Sequence, residues 1–530
     1  MLRIRIFSNI AIHITIVSCS MALASCTKNY TEINTDRNTI ATVGAAELPF
    51  LFAKAESSAI PNIWNYQIAQ NLFADQYAQY FACNATYFPS DRLFIRQDWV
   101  GAAFNPIYTD VVPQLQSIKQ AADPASPEAA LADVVWVLAF HRITDYWGPI
   151  PYFNAGQPGN SVAYDPQDKI YDDFFKKLSG AAAILKSNLD KKPYGDYDLI
   201  YGGDINKWLK FANTLRLRLA LRISQVDPER AKTEAEAAYA DGVLTDSPGD
   251  DALLQKSETG QDYNGLSVMS DWDEFRMSAS MESVLKGYTD PRMPVYFLPA
   301  QSTGTYEGLR NGLTSTQLTE DINKAKANSH AGPRWASPQY GGLASYEATP
   351  QNVMATAEAY FLRAEGALMG WNMGGTPKDL YEQGITNSLK QWGIADAAVI
   401  QGYINSDKTP IAPNDFLHSP PLTNLPVKFS SDPTIQKAQV ALQKWLAMYP
   451  DGAEAWADNR RNPIWHSDVL KLYPVANSDN PDIPDPTKQW IRRIPFLTSE
   501  RQNNGAEVTK AEQLLNGPDN VTTKLWWDKN

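Results

Sequence analysis

The 530-residue chain is poor in cysteine (three) and histidine (five), and beyond its first two dozen residues it has no apolar run long enough to cross a bilayer. Three cysteines cannot build a disulfide framework, and no two of them have the CxxC spacing used for zinc or redox work. Basic residues are outnumbered, 47 Lys and Arg against 59 Asp and Glu, for a formal charge of −12. Binding to a phosphate backbone needs clustered cations, so nucleic acid is excluded as a partner. Signatures of catalysis are missing too: no HExxH, no GxSxG, no P-loop and no GxGxxG after a strand. His141, His330, His418 and His466 are isolated from one another, and His141 lies on an apolar helical stripe, where a satisfied core histidine is the natural reading.

Acidic residues are common enough that some pair must fall at glycosidase spacing without being catalytic. Asp196, Asp198 and Asp204 flank Gly202-Gly203 roughly as a cation loop would, but EF-hand spacing fails at the third ligand and at the closing Glu. Asp479, Asp482 and Asp485 carry no stronger signal. No catalytic residue, metal or cofactor is expected. What the chain has in abundance is aromatic: 15 Trp and 25 Tyr, with 35 Pro between them.

The N-terminus carries the clearest chemical signal. Arg3 and Arg5 precede a mostly apolar stretch from Ile6 to Ala24 that ends Leu23-Ala24-Ser25-Cys26. This is a lipobox: small residues fit the peptidase cleft, and the Cys26 thiol accepts a diacylglyceryl group. Ile16-Val17-Ser18-Cys19 fits the pattern loosely but is followed by apolar Met21-Ala22-Leu23, whereas Cys26 leads into polar Thr27-Lys28-Asn29. Residues 1–25 are therefore expected to be a signal peptide and Cys26 a lipid anchor, whose acyl chains contribute about 0.8 kcal/mol of membrane binding per buried CH₂. Cys83 remains as a buried or idle thiol.

Residues 26–530 read as one mainly α-helical domain. Met354, Ala357, Phe361, Ala364, Leu368 and Trp371 mark one face of a helix of about five turns. Pro377 opens a second, with Tyr381, Ile385, Leu389 and Trp392 on its inner face. The two form a tetratricopeptide-like hairpin. Similar stripes run through Ile170 to Leu189, Trp208 to Ile223 and Leu131 to Arg142, and 434–449 is expected to be helical.

Between about 256 and 350 the helical stripes stop and Gly, Ser, Thr and Pro interleave with aromatics. Loops of this length are functional or disordered, and the aromatic density argues for function. Residues 58–100 are similarly aromatic. The expected ligand-binding residues are Trp64, Tyr87, Phe88, Trp272, Trp335, Tyr340 and Tyr346, with Arg276 and Asn311 as polar partners. Trp and Tyr faces stack on the C–H patches of sugar rings and lose little entropy in doing so, while polar side chains at the rim bond the hydroxyls.

Seven segments, in order along the chain, then resemble one family. They are Tyr30-Thr31-Glu32-Ile33-Asn34-Thr35-Asp36; Thr144-Asp145-Tyr146-Trp147-Gly148-Pro149-Ile150-Pro151-Tyr152; Lys207 through Arg218; Asp290-Pro291-Arg292; Ala357 through Glu365; Ala455 through Arg461; and Trp526-Trp527-Asp528. The series resembles the SusD/RagB-type outer-membrane lipoproteins. The resemblance implies one helical body of tetratricopeptide-like hairpins whose inserted loops carry the ligand surface. It also implies a SusC-like TonB-dependent β-barrel as partner, over which the lipoprotein sits as a hinged lid and hands on glycan or peptide.

Most matched residues have a structural reading of their own. Asp145 to Tyr152 is a rigid turn leaving a helix. Arg216, Arg218 and Arg222 are expected to pair with buried carboxylates such as Glu358 or Glu365, and Arg460-Arg461 to form structural salt bridges. Glycan capture at the outer membrane is the leading function. A peptide-binding lipoprotein of the same kind, a lipid-anchored hydrolase and a helical scaffold are the alternatives.

Overall fold

Helix starts in this chain are written in its caps. Ser126-Pro127, Asp227-Pro228, Thr376-Pro377 and Asp432-Pro433 each place a short polar acceptor before a proline whose missing N–H costs nothing in the first turn. In the computed structural model each of these side chains accepts backbone N–H groups two or three residues on, as from Ala129 to Ser126 at 3.2 Å and from Thr434 to Asp432 at 2.8 Å. The structure describes residues 43–157, 159, 161–259 and 262–530. The signal segment, Cys26 and the Tyr30 to Asp36 motif lie outside them.

The helices that build the body are α1 (Leu48–Ser58), α2 (Val112–Ala121), α3 (Pro127–Trp147), α4 (Gln167–Lys186), α5 (Ile205–Arg222), α6 (Pro228–Ala240), α7 (Ala279–Tyr288), α8 (Thr356–Leu368), α9 (Pro377–Gln391), α10 (Pro433–Met448) and α11 (Gly452–Arg461). Successive members pack side by side, α2 on α3, α3 on α4, α4 on α5 and α5 on α6, after which α5 meets α8 and α8 meets both α9 and α10. The body is mainly α, built from helical hairpins in series, as the stripes predict.

Two boundaries differ from the periodicity. Met354 belongs to a strand and Trp371 follows the turn at Gly370, so α8 is a turn or more shorter than its apolar stripe. Leu189 lies past the end of α4 and is exposed. Met354 is buried from its strand and so keeps the apolar spacing of α8 without being part of it, whereas Leu189 matches the α4 spacing but packs on nothing in the core.

The family-like motifs meet inside this body. Arg222 bridges Asp145 at 3.1 Å and Glu454 at 2.6 Å, and Arg218 grips Glu358 with two bonds of 2.7 Å. Next to them Glu365 receives two 2.7 Å bonds from Arg461 and one of 3.0 Å from Lys444, which also reaches Asp458 at 2.7 Å. Asp145 accepts further from Tyr171 at 2.7 Å and from the Trp527 indole at 2.8 Å. Burial pushes the Glu454 carboxyl up, but the Arg222 and Arg218 charges outweigh it and hold it down to about 2. Charged residues spread from Asp145 to Arg461 thus neutralise one another where α3, α5, α8, α10 and α11 meet. Gly148 ends α3 with φ +86, a value only glycine adopts freely, and this turns the chain out of the junction.

Four short strands fasten the loops to the body. β1 (Phe81–Cys83) and β2 (Ala252–Leu254) pair antiparallel with β3 (Phe275–Met277) and β4 (Gln351–Met354) respectively. The stretch 256–350, which lacks sustained helical stripes, nevertheless holds α7 and shorter helices at Gly265–Asp271 and Met293–Tyr296. Two of them start at side-chain caps rather than from periodicity: Asn264 accepts from Leu266 N at 2.9 Å and Ser278 from Met281 N at 3.1 Å. Among the described residues no helix is long and apolar enough to cross a membrane.

Candidate functional site

The β1–β3 ladder decides where the aromatic loops meet. Its register sets Cys83 opposite Phe275, and the pairing runs one step further as Asn84 N–H donates to the Glu274 carbonyl at 3.1 Å. The Asn84 side chain adds a 2.8 Å bond to the Asp273 carbonyl. The loop carrying Tyr87 and Phe88 is thereby held against Asp271-Trp272-Asp273-Glu274, and the Tyr87 hydroxyl donates to the Glu274 carboxylate. A third loop arrives from the other side: Asn264 N–H donates to the Glu347 carbonyl at 2.7 Å, and Ser267 Oγ to the Tyr346 carbonyl at 2.7 Å. This brings the Tyr346 hydroxyl onto Asp271.

The result is a surface on which acidic side chains orient aromatic rings. Trp272 is 44% exposed and makes no ring contact with the described residues; Tyr87 is 65% exposed. Tyr340 is half-buried, with one face stacked on His330 at a centroid distance of 4.3 Å. Phe88 packs edge-on to Tyr87 at 4.6 Å and to Trp99 at 5.5 Å. Trp64 is exposed three residues before Gln67, whose amide donates to Glu274 at 2.5 Å. Hydrogen bonding to Glu274 pushes the Tyr87 hydroxyl up to about 12, and burial followed by the Asp271 hydrogen bond raises Tyr346 as well. Both phenols are neutral donors, so their rings are held in place while the faces stay available.

Three expected contacts are corrected. Trp335 is 2% exposed, wedged edge-on against Trp392 at 5.7 Å and Tyr449 at 5.6 Å. Arg276 is 3% exposed and spends its guanidinium on the carbonyls of Ala325 (2.8 Å) and Phe275 (2.6 Å) and on Asp273. Asn311 is buried and donates to the Phe81 carbonyl at 2.9 Å and to Asp91 at 2.8 Å. All three hold the loops to the body and leave the candidate surface. A segment with little backbone ladder needs such anchors, and its aromatics serve as them: Tyr288, Tyr296 and Phe297 are also buried, with Tyr296 stacked on Tyr449 at 4.3 Å.

Residue-type reasoning passed over Asp271, Glu274 and Gln67. For Asp271 and Glu274 the signal is local, since Trp272 stands in a run Asp-Trp-Asp-Glu where an exposed aromatic is flanked by acceptors; Gln67 reaches the site only through the fold. The expected structural pairs are present: Arg218 binds Glu358, Arg461 binds Glu365, and Arg216 binds Glu234 at 2.6 Å. Arg460 departs from the expected salt bridge: among the described residues it is buried and donates instead to the carbonyls of Asp145 and Arg492, both at 2.8 Å. His141 is buried, with Nδ1 3.0 Å from the Val137 carbonyl, and Cys83 is a buried free thiol. Asp198 directs its oxygens to three backbone N–H groups and to the Trp208 indole.

With this hairpin-built helical body and its inserted aromatic loops, the chain belongs to the SusD-like family. The family model, described as Susd and RagB outer membrane lipoprotein, matches residues 29–528. Among solved structures the chain is similar to a chitin-binding SusD homologue of Flavobacterium johnsoniae, with 32% identity, a TM-score of 0.80, and coverage of 91% of this chain and 99% of that one. A SusD-like protein of Bacteroides thetaiotaomicron is 30% identical with a TM-score of 0.80 and the same coverage. A SusD homologue of Bacteroides uniformis is 29% identical, again with a TM-score of 0.80 over 91% of this chain and 99% of that one. No curated protein matches the sequence.

Proposed function

We propose that this protein is a non-enzymatic lipoprotein of the outer cell surface. Anchored through Cys26 after removal of residues 1–25, it captures glycan on its aromatic loop surface and passes it to a SusC-like TonB-dependent β-barrel. Residues 26–530 act as one domain in this reading. The observation that carries the ligand class is the convergence of Tyr87, Trp272, Tyr340 and Tyr346 on the acidic segment 271–274, with rings oriented from behind and faces left open. Stacking on sugar C–H faces needs this arrangement, and acidic oxygens at its edge accept hydroxyls. Trp64 and Phe88 extend the surface. The chitin-binding relative makes N-acetylglucosamine polymers the first ligands to try.

The test is titration of the purified protein with chitin oligosaccharides, other polysaccharides and peptides, repeated with Trp272→Ala. Glycan binding that weakens in the variant supports the reading. Binding to peptides alone, or glycan binding unaffected by Trp272→Ala, overturns the glycan assignment. Co-purification with a large β-barrel from solubilised membranes tests delivery separately.

A further inference from the structure

The loop surface around Trp272 differs from much of the molecule in how its charge is balanced. Many carboxylates elsewhere are met by a cation, as Asp250 is by Lys210 at 2.8 Å and Asp451 by Arg142 at 2.7 Å. Asp271 and Glu274 instead accept from Tyr346, Tyr87 and Gln67, and among the described residues neither they nor Glu347 has an ion pair. Asp273 is paired with Arg276, yet its side chain is still 39% exposed.

The phenols of the surface respond to this imbalance. Tyr87 is pushed up by its hydrogen bond to Glu274, then by burial and by the Glu274 charge. Burial raises Tyr346, followed by Asp271 and then Glu347. Burial also raises Tyr340, followed by Asp273, with Arg276 opposing and Asp271 adding. Four carboxylates therefore act on three rings, and the cation that opposes them is the guanidinium of Arg276, itself tied to Asp273.

The ring faces give an independent sign of the same preference. Aromatic faces attract cations, and in this protein guanidinium groups cover several of them: Arg460 lies 3.5 Å from the Trp456 ring centre, Arg363 4.7 Å from that of Tyr239 and Arg310 4.8 Å from that of Tyr473. Among the described residues no cation lies over Trp272, Tyr87, Tyr340 or Tyr346. Trp272, the ring type that binds cations best, is 44% exposed and has no ring partner. Open faces and unmatched carboxylates favour the same charge on whatever lies against them.

We propose that the loop surface selects a glycan bearing protonated primary amines, a hexosamine chain with free 2-amino groups, over its N-acetylated counterpart. The inference rests on the reading of this surface as the glycan site and names the ligand charge which that reading leaves open. An N-acetyl group is neutral, so it gains nothing from the carboxylates as charges. Removing the acetyl group leaves an ammonium on each sugar, attracted at once by the Trp272 face and by the field of Asp271, Asp273, Glu274 and Glu347. A glucuronate-bearing chain meets the same field with the opposite sign.

The experiment is calorimetric titration of the detergent-solubilised full-length protein with glucosamine hexamer, N-acetylglucosamine hexamer and a lysine-containing peptide. A sugar amine loses its proton in the range of an α-amino group or somewhat below, at roughly pH 6.5–8, whereas ordinary carboxylates are ionised above about pH 5. At about pH 6 and ~20 mM salt the glucosamine hexamer should bind at least tenfold tighter than the acetylated one. The preference should shrink to about twofold in ~0.5 M salt, where the Debye length is short, and should vanish above about pH 8.5. Glu274→Gln and Asp271→Asn keep an acceptor for the tyrosine hydroxyl while removing a charge, and each should cut the ratio of the two affinities about threefold. If neither variant folds, the salt and pH series on the wild type carries the test. Equal affinity for the two hexamers at low salt, a preference indifferent to salt, pH and both substitutions, or tighter binding of the lysine peptide than of the glucosamine hexamer overturns the proposal. Binding of both hexamers equally, and more weakly in Trp272→Ala, overturns this inference alone; failure of either hexamer to bind overturns the glycan reading with it.

Discussion

The junction around Arg222 and the loop surface around Trp272 use the same ingredients, carboxylates set against aromatic and cationic side chains, to opposite ends. At the junction Asp145, Glu358 and Glu454 are buried, Glu365 is nearly so, and every one is matched by Arg or Lys. At the surface Asp271 and Glu274, both half-buried, are matched by tyrosine hydroxyls, which cancel no charge. Charges removed from water must be neutralised where they stand, whereas carboxylates near water can be left to orient a ring and receive a ligand. A motif rich in Asp, Arg and Trp therefore marks the frame here, and the proposed ligand surface lies where tyrosine hydroxyls take the place of cations on Asp271 and Glu274.

That contrast can be broken at several points. Arg222→Ala strands Asp145 and Glu454 in the interior and should cost about 3–5 kcal/mol in urea unfolding. Any loss of glycan binding should track the unfolded fraction. Trp335→Ala should cost a similar ~3–5 kcal/mol for the cavity it opens, again with binding per folded molecule retained. An effect on binding alone would return Trp335 to the ligand surface.

Asp75 tests the rule from inside, because it is buried and bonded to Gln70 and Tyr66, both at 3.0 Å, rather than to a cation. Burial raises it to about 7 against the lowering effect of those two bonds. Its protonated form favours the fold, so stability is full below its ordinary pKa near 4 and is lost as pH rises through 7. Asp75→Asn cannot ionise, and its stability relative to wild type should improve by ~3 kcal/mol between pH 5 and pH 8. A pH-independent difference would show that Asp75 does not titrate in this range.

Trp272→Ala should do the reverse of Arg222→Ala. Stability should stay within ~0.5 kcal/mol while glycan affinity falls about tenfold, or ~1.4 kcal/mol. The smallest effect is expected from Tyr346→Phe, which removes one hydroxyl from Asp271 and should cost ~1 kcal/mol of stability. A larger loss of glycan binding than in Trp272→Ala would move the centre of the surface to Tyr346.

Much of the frame was legible in the chain because its rules are local. Proline after a capping residue marks the start of α3, α6, α9 and α10, and 3.6-residue apolar spacing marks their inner faces. That Arg218 pairs with a buried carboxylate was legible in the chain, but packing decided that the carboxylate is Glu358 while Glu365 goes to Arg461. The ligand surface was legible only as a list of loop aromatics, of which Trp272, Tyr87, Tyr340 and Tyr346 converge and Trp335 does not. Trp272 has acidic neighbours and Trp335 does not, but whether either ring pins a loop or faces solvent is set by contacts with distant segments.

By itself the sequence determined the class of protein: a lipobox, an acidic charge balance, helical stripes and an ordered motif series, each readable within a few residues. The tertiary structure alone decided which aromatics are open, since that depends on the β1–β3 register bringing residues 84–88 against 271–274. Exposure and polar satisfaction belong to contacts between segments hundreds of residues apart, and no local pattern encodes them.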